Sequence, residues 1–453
     1  MDARRDSTTG VPEAEAGCLC RRVRYPCGMG LRRRILEADV SANGRERIGA
    51  VRILFLSPRQ CCPALSGAKL RDYHLARALA RRGELTYVYF TDAGEEALTA
   101  EDLPFAARVV AVPKPRVYGP WNLVRGIAGK WPLPVLNYTS RDMMAALAQL
   151  DGPGYDLVHL DSIHMFRYVK PLEQILGEPP RVTYDWHNIE SEAMRRYADS
   201  TSSRARRVYA NITTSKLAAL ERTILADAFG HLVCSERESA QLRRIAPGAR
   251  IAVVENGVDC AYFATESRSA PNRHRIVYVG RMDYYPNVEA AIGFARRTWP
   301  LIRDQMKGLM LTIVGANPTA DVEALASIPG VEVTGTVPDV RPYYREALAA
   351  VVPLRTGGGT RLKILEAMAA GVPVISSPLG AEGLAVNPGS DILISDPDDP
   401  QSWARRLKEL VQSEERREQI ATRALQLVKA RYDWNTLGQR LLDTYEGWLR
   451  IPG

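Results

Sequence analysis

The chain has 453 residues, 46% of them hydrophobic and 25% charged, which is the make-up of a globular protein with roughly two to three domains. No apolar run is long enough to span a bilayer, and the basic N-terminus lacks the continuous apolar stretch of a secretory signal. A formal net charge of +8 favours an anionic partner, whether nucleic acid, acidic lipid or nucleotide phosphate. The seven cysteines (Cys18, Cys20, Cys27, the vicinal Cys61-Cys62, Cys234 and Cys260) are odd in number and form no paired cluster. They are expected to be free thiols in a cytoplasmic protein.

Residues 1–50 carry ten Arg against seven acidic residues without regular periodicity, as expected of a flexible extension. Folded structure is expected to begin at Val51-Arg52-Ile53-Leu54-Phe55-Leu56, a buried-type strand. A loop with Ser66-Gly67 follows, then an amphipathic helix from about Lys69 to Arg82 with Leu70, His74, Leu75, Ala78 and Leu79 on its apolar side. Strands are expected at Leu85–Phe90, Arg108–Val112, Asp156–Leu160, Arg181–Asp185, Gly230–Cys234 and Ile251–Val254. Short apolar strands interleaved with helices imply a parallel sheet covered on both faces.

After a polar linker with Pro271, the pattern restarts. Strands are expected at Arg275–Gly280, Leu309–Gly315, Val331–Thr334, Ala349–Pro353 and Val372–Ser376. Helices are expected at Asn287–Thr298, Val340–Leu348 and Thr360–Ala370, and from Pro400 onward. The expected class is α/β, with two Rossmann-like doubly wound domains facing a cleft, over residues 51–263 and 264–432. A last helix within 433–453 is expected to pack back on the first domain.

The densest chemistry lies in Val351-Val352-Pro353-Leu354-Arg355-Thr356-Gly357-Gly358-Gly359-Thr360-Arg361-Leu362-Lys363-Ile364-Leu365-Glu366. A strand runs into three glycines, then Thr360 as the expected N-cap of a helix. Glycines allow close backbone approach, and a helix start favours an anion. Arg361 and Lys363 in the first turn oppose the helix dipole, which a bound phosphate would explain. The alternative is a glycine turn whose basic residues face solvent, with Glu366 paired to Lys363. The spacing is neither that of a Walker A loop nor that of a dinucleotide fingerprint.

With these residues on the page, the chain resembles the family 4 group of retaining glycosyltransferases, of the GT-B fold. Val51–Arg82 resembles the family's opening strand, Gly-containing loop and helix. Glu255-Asn256-Gly257-Val258-Asp259 resembles its domain-closing segment, and Val279-Gly280-Arg281 the start of its donor domain. Leu354-to-Gly371 resembles the donor-site helix, with Gly380-Ala381-Glu382-Gly383-Leu384 continuing it. The resemblance implies an acceptor-side first domain and a nucleotide-sugar donor domain. It implies donor contacts from Gly67, Arg281, Gly358, Gly359, Thr360, Arg361, Lys363 and Glu366. Glu366 matches the Glu that holds the ribose in relatives, whereas Gly358 stands where relatives have a sugar-contacting Glu. Asn287 stands where many have a Lys, and Lys363 is expected to supply that charge. This pattern resembles a branch from exopolysaccharide and cell-envelope glycan clusters.

His187, in Tyr184-Asp185-Trp186-His187-Asn188, follows a first-domain strand. A lone His there is more often structural. The resemblance implies a catalytic role at the reacting sugar. His159 and His164 are weaker candidates, and His74 is expected to pack. Lys114–Trp131 has Lys114, Arg116, Arg125 and Lys130, interleaved with Tyr118, Trp121 and Trp131 and no acidic residue. It suits either an anionic membrane surface carrying a lipid-linked acceptor or a loop packed on the first domain. The Arg-rich 195–207 run either joins the same acceptor side or is a solvated helix face. No nucleic-acid module is recognisable. Asp396-Pro397-Asp398 is read as a coincidental turn, so no metal and no cofactor beyond the donor is expected. The expected activity is transfer of a hexosyl group from a nucleotide diphosphate-sugar to a glycan or lipid-linked acceptor, with retention implied by the resemblance. Alternatives are a nucleotide-sugar 2-epimerase of the same fold and a non-catalytic sugar-nucleotide or glycan-binding partner. The expected location is cytoplasmic, at the inner face of the membrane where the acceptor is lipid-linked.

Overall fold

The computed structural model describes residues 51–450, apart from 65, 116–119, 151–153, 177–179 and 265–273. The extension over residues 1–50, most of the linker, and Arg116 and Tyr118 lie outside the described residues, as does the side chain of Trp121.

The first sheet has seven strands: β1 (Val51–Ser57), β2 (Gly83–Thr91), β3 (Arg108–Pro113), β4 (Leu157–Asp161), β5 (Arg181–Trp186), β6 (Gly230–Val233) and β7 (Ile251–Val253). Their order is β3-β2-β1-β4-β5-β6-β7, and every pairing is parallel. Strands such as β1 and β4 are apolar on both faces because helices cover both sides of the sheet. Those that matter below are α1 (Gly67–Leu79), α2 (Pro120–Ala128), α3 (Glu190–Ser200) and α4 (Arg204–Asp227).

The second sheet has six parallel strands in the order β10-β9-β8-β11-β12-β13. They are β8 (Arg275–Val279), β9 (Met310–Val314), β10 (Val331–Gly335), β11 (Ala349–Val352), β12 (Val374–Ser376) and β13 (Leu393–Ile394). The sequence reading lacks β13, since two residues carry no periodicity. The expected helix from Asn287 is α5 (Tyr285–Gly293), continued by a π turn at Phe294–Thr298. The donor-site helix, α6 (Leu362–Ala369), begins two residues later than expected. In each sheet the strand order reverses beside the first strand, so a crevice opens at the carboxyl ends of β1 and β4, and of β8 and β11.

Two helices, α7 (Pro400–Gln412) and α8 (Glu414–Arg431), close the second domain. The last, α9 (Trp434–Arg450), returns to the first. Its Leu437, Leu441 and Tyr445 are buried in one core with Ile53, Leu75 and Leu79. Trp434 stacks on His74 with ring centroids 4.8 Å apart, which gives His74 the packing role expected of it. Gly438 admits Ala78, whose Cβ lies 3.0 Å from where a side chain would start.

Candidate functional site

Between the two sheets lies a cavity of about 600 Å³. Ser66 and Gly67 at the start of α1 form one wall. The turn from β8 to α5 and the glycine loop from β11 to α6 form the other. Gly357 and Gly359 hold φ of +113° and +76°, a left-handed backbone that L side chains rarely adopt. At Gly280 a Cβ would meet Lys363 Nζ at 2.7 Å and Asn287 Nδ2 at 2.8 Å, so a side chain there would displace both. A Cβ at Gly67 would come within 3.0 Å of Leu362 Cδ1, so the starts of α1 and α6 abut across the cleft. Neither helix has an acidic residue in its first turn, so both present their positive ends to the cavity.

Two cations lie at its floor without a counter-anion. Arg361 is only 7% exposed, and its guanidinium reaches the Gly359 carbonyl while its Nε and Nη2 have no partner. Burial lowers its pKa. Lys363 donates from Nζ to Asn287 Oδ1 at 2.7 Å and sits 4.7 Å from the Tyr278 ring centre. Burial pushes its ammonium down to about 7, against the pull of Glu366. Among the described residues neither cation is within ion-pair distance of a carboxylate. A buried charge left unpaired is costly, so an anionic ligand is the natural completion of this site.

Of the residues singled out from the sequence, Gly67, Arg281, Gly358, Thr360, Arg361, Lys363 and Glu366 all line this cavity. Gly359 shapes the loop without lining it. Thr360 is not the N-cap: Arg361 holds that place, and no side chain caps the helix. Thr360 Oγ1 instead accepts from Asn256 Nδ2 at 3.2 Å. Arg281 is at the rim, ion-paired to Asp283 at 2.6 Å. Glu366 accepts from the Tyr344 hydroxyl at 3.4 Å rather than pairing with Lys363, and burial raises its pKa.

His187 does not line the cavity and belongs to a separate charge cluster at the ends of β1, β4 and β5. Its Nε2 contacts Asp161 closely and lies 3.6 Å from Asp72 Oδ1. Arg59 Nη1 is 3.5 Å from Asp161 and 3.8 Å from Asp72, while Ser57 Oγ donates to Asp72 at 3.1 Å. Burial opposes the imidazolium, but Asp161 outweighs it and raises His187 to about 10. Asp161 is correspondingly held well below the carboxylate range, whereas burial and Asp161 push Asp72 up to about 6. Asp161 thus favours the protonated imidazolium of His187 near neutrality. Asp72, Asp161 and His187 place donor atoms within 4.8 Å of one another, which suits a metal in principle. An ion there would have to displace the His187 proton beside the Arg59 guanidinium, an unfavourable exchange.

The sequence reading also lacks the hinge. Arg71 is fully buried, paired to Asp185 at 2.6 Å, and donates to the carbonyls of Val254 and Glu255 and to Asn256 Oδ1. Asn256 thus joins the first domain to the glycine loop. A charged residue inside the predicted apolar helix, at Arg71, was the available signal. Three other histidines bond within the first domain or to α9: His159 bonds the Tyr445 hydroxyl, His164 the Ser162 hydroxyl, and His231 accepts from the Trp186 indole. Asp398 pairs with Arg355, and Asp396 accepts from the Asp398 backbone. Cys61, Cys62, Cys234 and Cys260 are all buried. Within the basic segment, Trp131 packs on Phe166 with Lys130 over its ring, and Lys114 pairs with Asp92.

Residues 66–257 match the model described as Glycosyl transferase 4-like domain, and residues 273–413 that of Glycosyl transferases group 1. Together the two matches take in most of the chain. The chain belongs to the glycosyltransferases. It is 29% identical over 235 residues to D-inositol 3-phosphate glycosyltransferase of Streptosporangium roseum, covering 47% of this chain and 52% of that protein. It is 26% identical over 239 residues to glycogen synthase of Mycobacterium tuberculosis, covering 50% and 56%. The chain spans about half the length of the curated relatives it matches. Among solved structures, sucrose-phosphate synthase from Thermosynechococcus elongatus matches with a TM-score of 0.62 at 19% identity, over 88% of this chain and 99% of that one. HepE from Anabaena, solved with UDP and glucose, matches with a TM-score of 0.59 at 15% identity, over 87% and 99%. These likenesses bear out the GT-B fold.

Proposed function

We propose that this glycosyltransferase binds a nucleotide diphosphate-sugar in the interdomain cavity and transfers the sugar to a glycan or lipid-linked acceptor. The observation that carries the reading is the pair of basic residues without a carboxylate partner, buried Arg361 and half-buried Lys363, at a glycine loop and helix start. Departure of the nucleotide diphosphate builds charge on its phosphates, which Lys363 and the positive ends of α1 and α6 stabilise. Lys363 Nζ rests against Asn287, so the charge many relatives carry on the first turns of α5 comes here from α6. Glu366 is placed to take ribose hydroxyls, and Arg281 would leave Asp283 to reach a phosphate. His187 contributes as a fixed cation on the acceptor side. Retention, a role in exopolysaccharide or cell-envelope glycan synthesis, and independence from metals belong to this reading. The relative HepE, crystallised with UDP and with UDP-glucose, supports a uridine nucleotide as the first donor to try.

Calorimetry tests it. UDP should bind the wild type, and Lys363→Ala should lose about 1.5–3 kcal/mol, roughly ten- to a hundredfold in affinity. Unchanged affinity would remove the phosphate assignment.

A further inference from the structure

Helix α2 is built inside out. Its Gly126 is buried, where a Cβ would meet Leu133 Cβ at 2.9 Å. The side chains that a globular helix normally buries point outward instead: Leu123 is 43% exposed, Val124 53% and Ile127 41%. At 100° per residue, these positions (i, i+1 and i+4) span one stripe of the helix surface. The helix is nonetheless firmly seated, because Lys216 of α4 donates to the carbonyls of Gly126, Ile127 and Gly129. An apolar stripe on a fixed helix is a surface waiting for a partner.

Charge indicates which partner. Arg125 and Lys130 flank the stripe and are exposed, and residues 114–131 contain no carboxylate. The adjoining α4 opens with exposed Arg204, Arg206 and Arg207, followed by Val208 at 59% exposure. Aliphatic side chains among cations, with no acidic residue in 114–131 to repel phosphate, match an anionic lipid surface. Trp131, within the described part of this segment, is taken up by Phe166 and Lys130.

We propose that α2 forms a docking face for an anionic phospholipid bilayer, with Leu123, Val124 and Ile127 entering the interface. This deepens the acceptor side of the function proposed above, yet its readout does not depend on sugar transfer. Purified full chain should co-sediment with vesicles of phosphatidylcholine containing phosphatidylglycerol, but not with phosphatidylcholine alone, and binding should weaken with salt. The variant L123D/V124D/I127D should bind about tenfold or more weakly while its UDP affinity and circular dichroism are unchanged. R125Q/K130Q, milder still towards folding, should lower binding to the anionic vesicles in the same direction. Absence of vesicle binding, or equal binding by the aspartate variant, would overturn the proposal and leave the donor site untouched. A dimer in light scattering that the aspartate variant dissolves would assign the face to a second copy, and that too would overturn it.

Discussion

Lys363 is the residue on which donor chemistry turns. Its ammonium, lowered to about 7 by burial, is only part-charged in the empty cavity near neutrality. A diphosphate raises that pKa, so binding should take up a proton. Affinity for UDP is expected to fall as pH rises through 7, and titrations in buffers of different ionisation enthalpy should report the uptake. Because Nζ lies against Asn287, the charge is also transferable: Lys363→Met combined with Asn287→Lys should recover part of the affinity that Lys363→Met loses. His187 makes the opposite case. Its folded pKa is raised to about 10, so its stabilising contribution is full below the ordinary value of 6.5 and is lost as pH climbs through 10. Asp161→Asn should return the imidazole's titration toward the ordinary range, which ¹⁵N chemical shifts of His187 would show; an unmoved titration would refute Asp161 as its partner. Gly358, unlike Gly357 and Gly359, has no left-handed φ, and a Cβ there meets only Arg196 at 3.4 Å. The carboxylate found in relatives is therefore sterically admissible here, so its loss is not forced by the backbone.

At the scale of elements, strands and their alternation were readable because buried parallel strands are short apolar runs between turn residues. Every strand of the first sheet and five of the second follow from that signal, and only β13, two residues long, escapes it. The glycine loop was readable too, since three successive glycines before a helix need a conformational reason. What escaped is what depends on distant partners. Thr360 looks like a cap by position, but Asn256 claims its hydroxyl. Asp72 and Asp161 sit in an ordinary helix and an ordinary strand, and only the fold brings them to His187 and Arg59. The return of α9 was expected, but its register was not: Leu441 is wholly buried against first-domain side chains. Leu441→Ala should destabilise the protein by about 2–5 kcal/mol in urea unfolding, as deletion of a buried Leu does.

For the whole molecule, the two sheets are joined at a hinge held by several polar contacts. Glu255 takes Arg431 and Arg440, Arg71 takes the backbone before Asn256, and Asn256 bonds Thr360. Movement of the domains apart must break the last of these, which ties opening of the cleft to release of the glycine loop. Asn256→Ala and Thr360→Val should each weaken UDP binding, with the double variant no worse than either alone. Additive losses would show that the two side chains act separately.

The passage of α9 back across the molecule also has a consequence during synthesis. The core around β1 and α1 is closed by Leu437, Leu441 and Tyr445, which are translated only after the whole second sheet. While the ribosome is still making the donor domain, Leu75, Leu79 and their neighbours have no lid. The half of the protein that emerges first is thus completed only once α9 has been made.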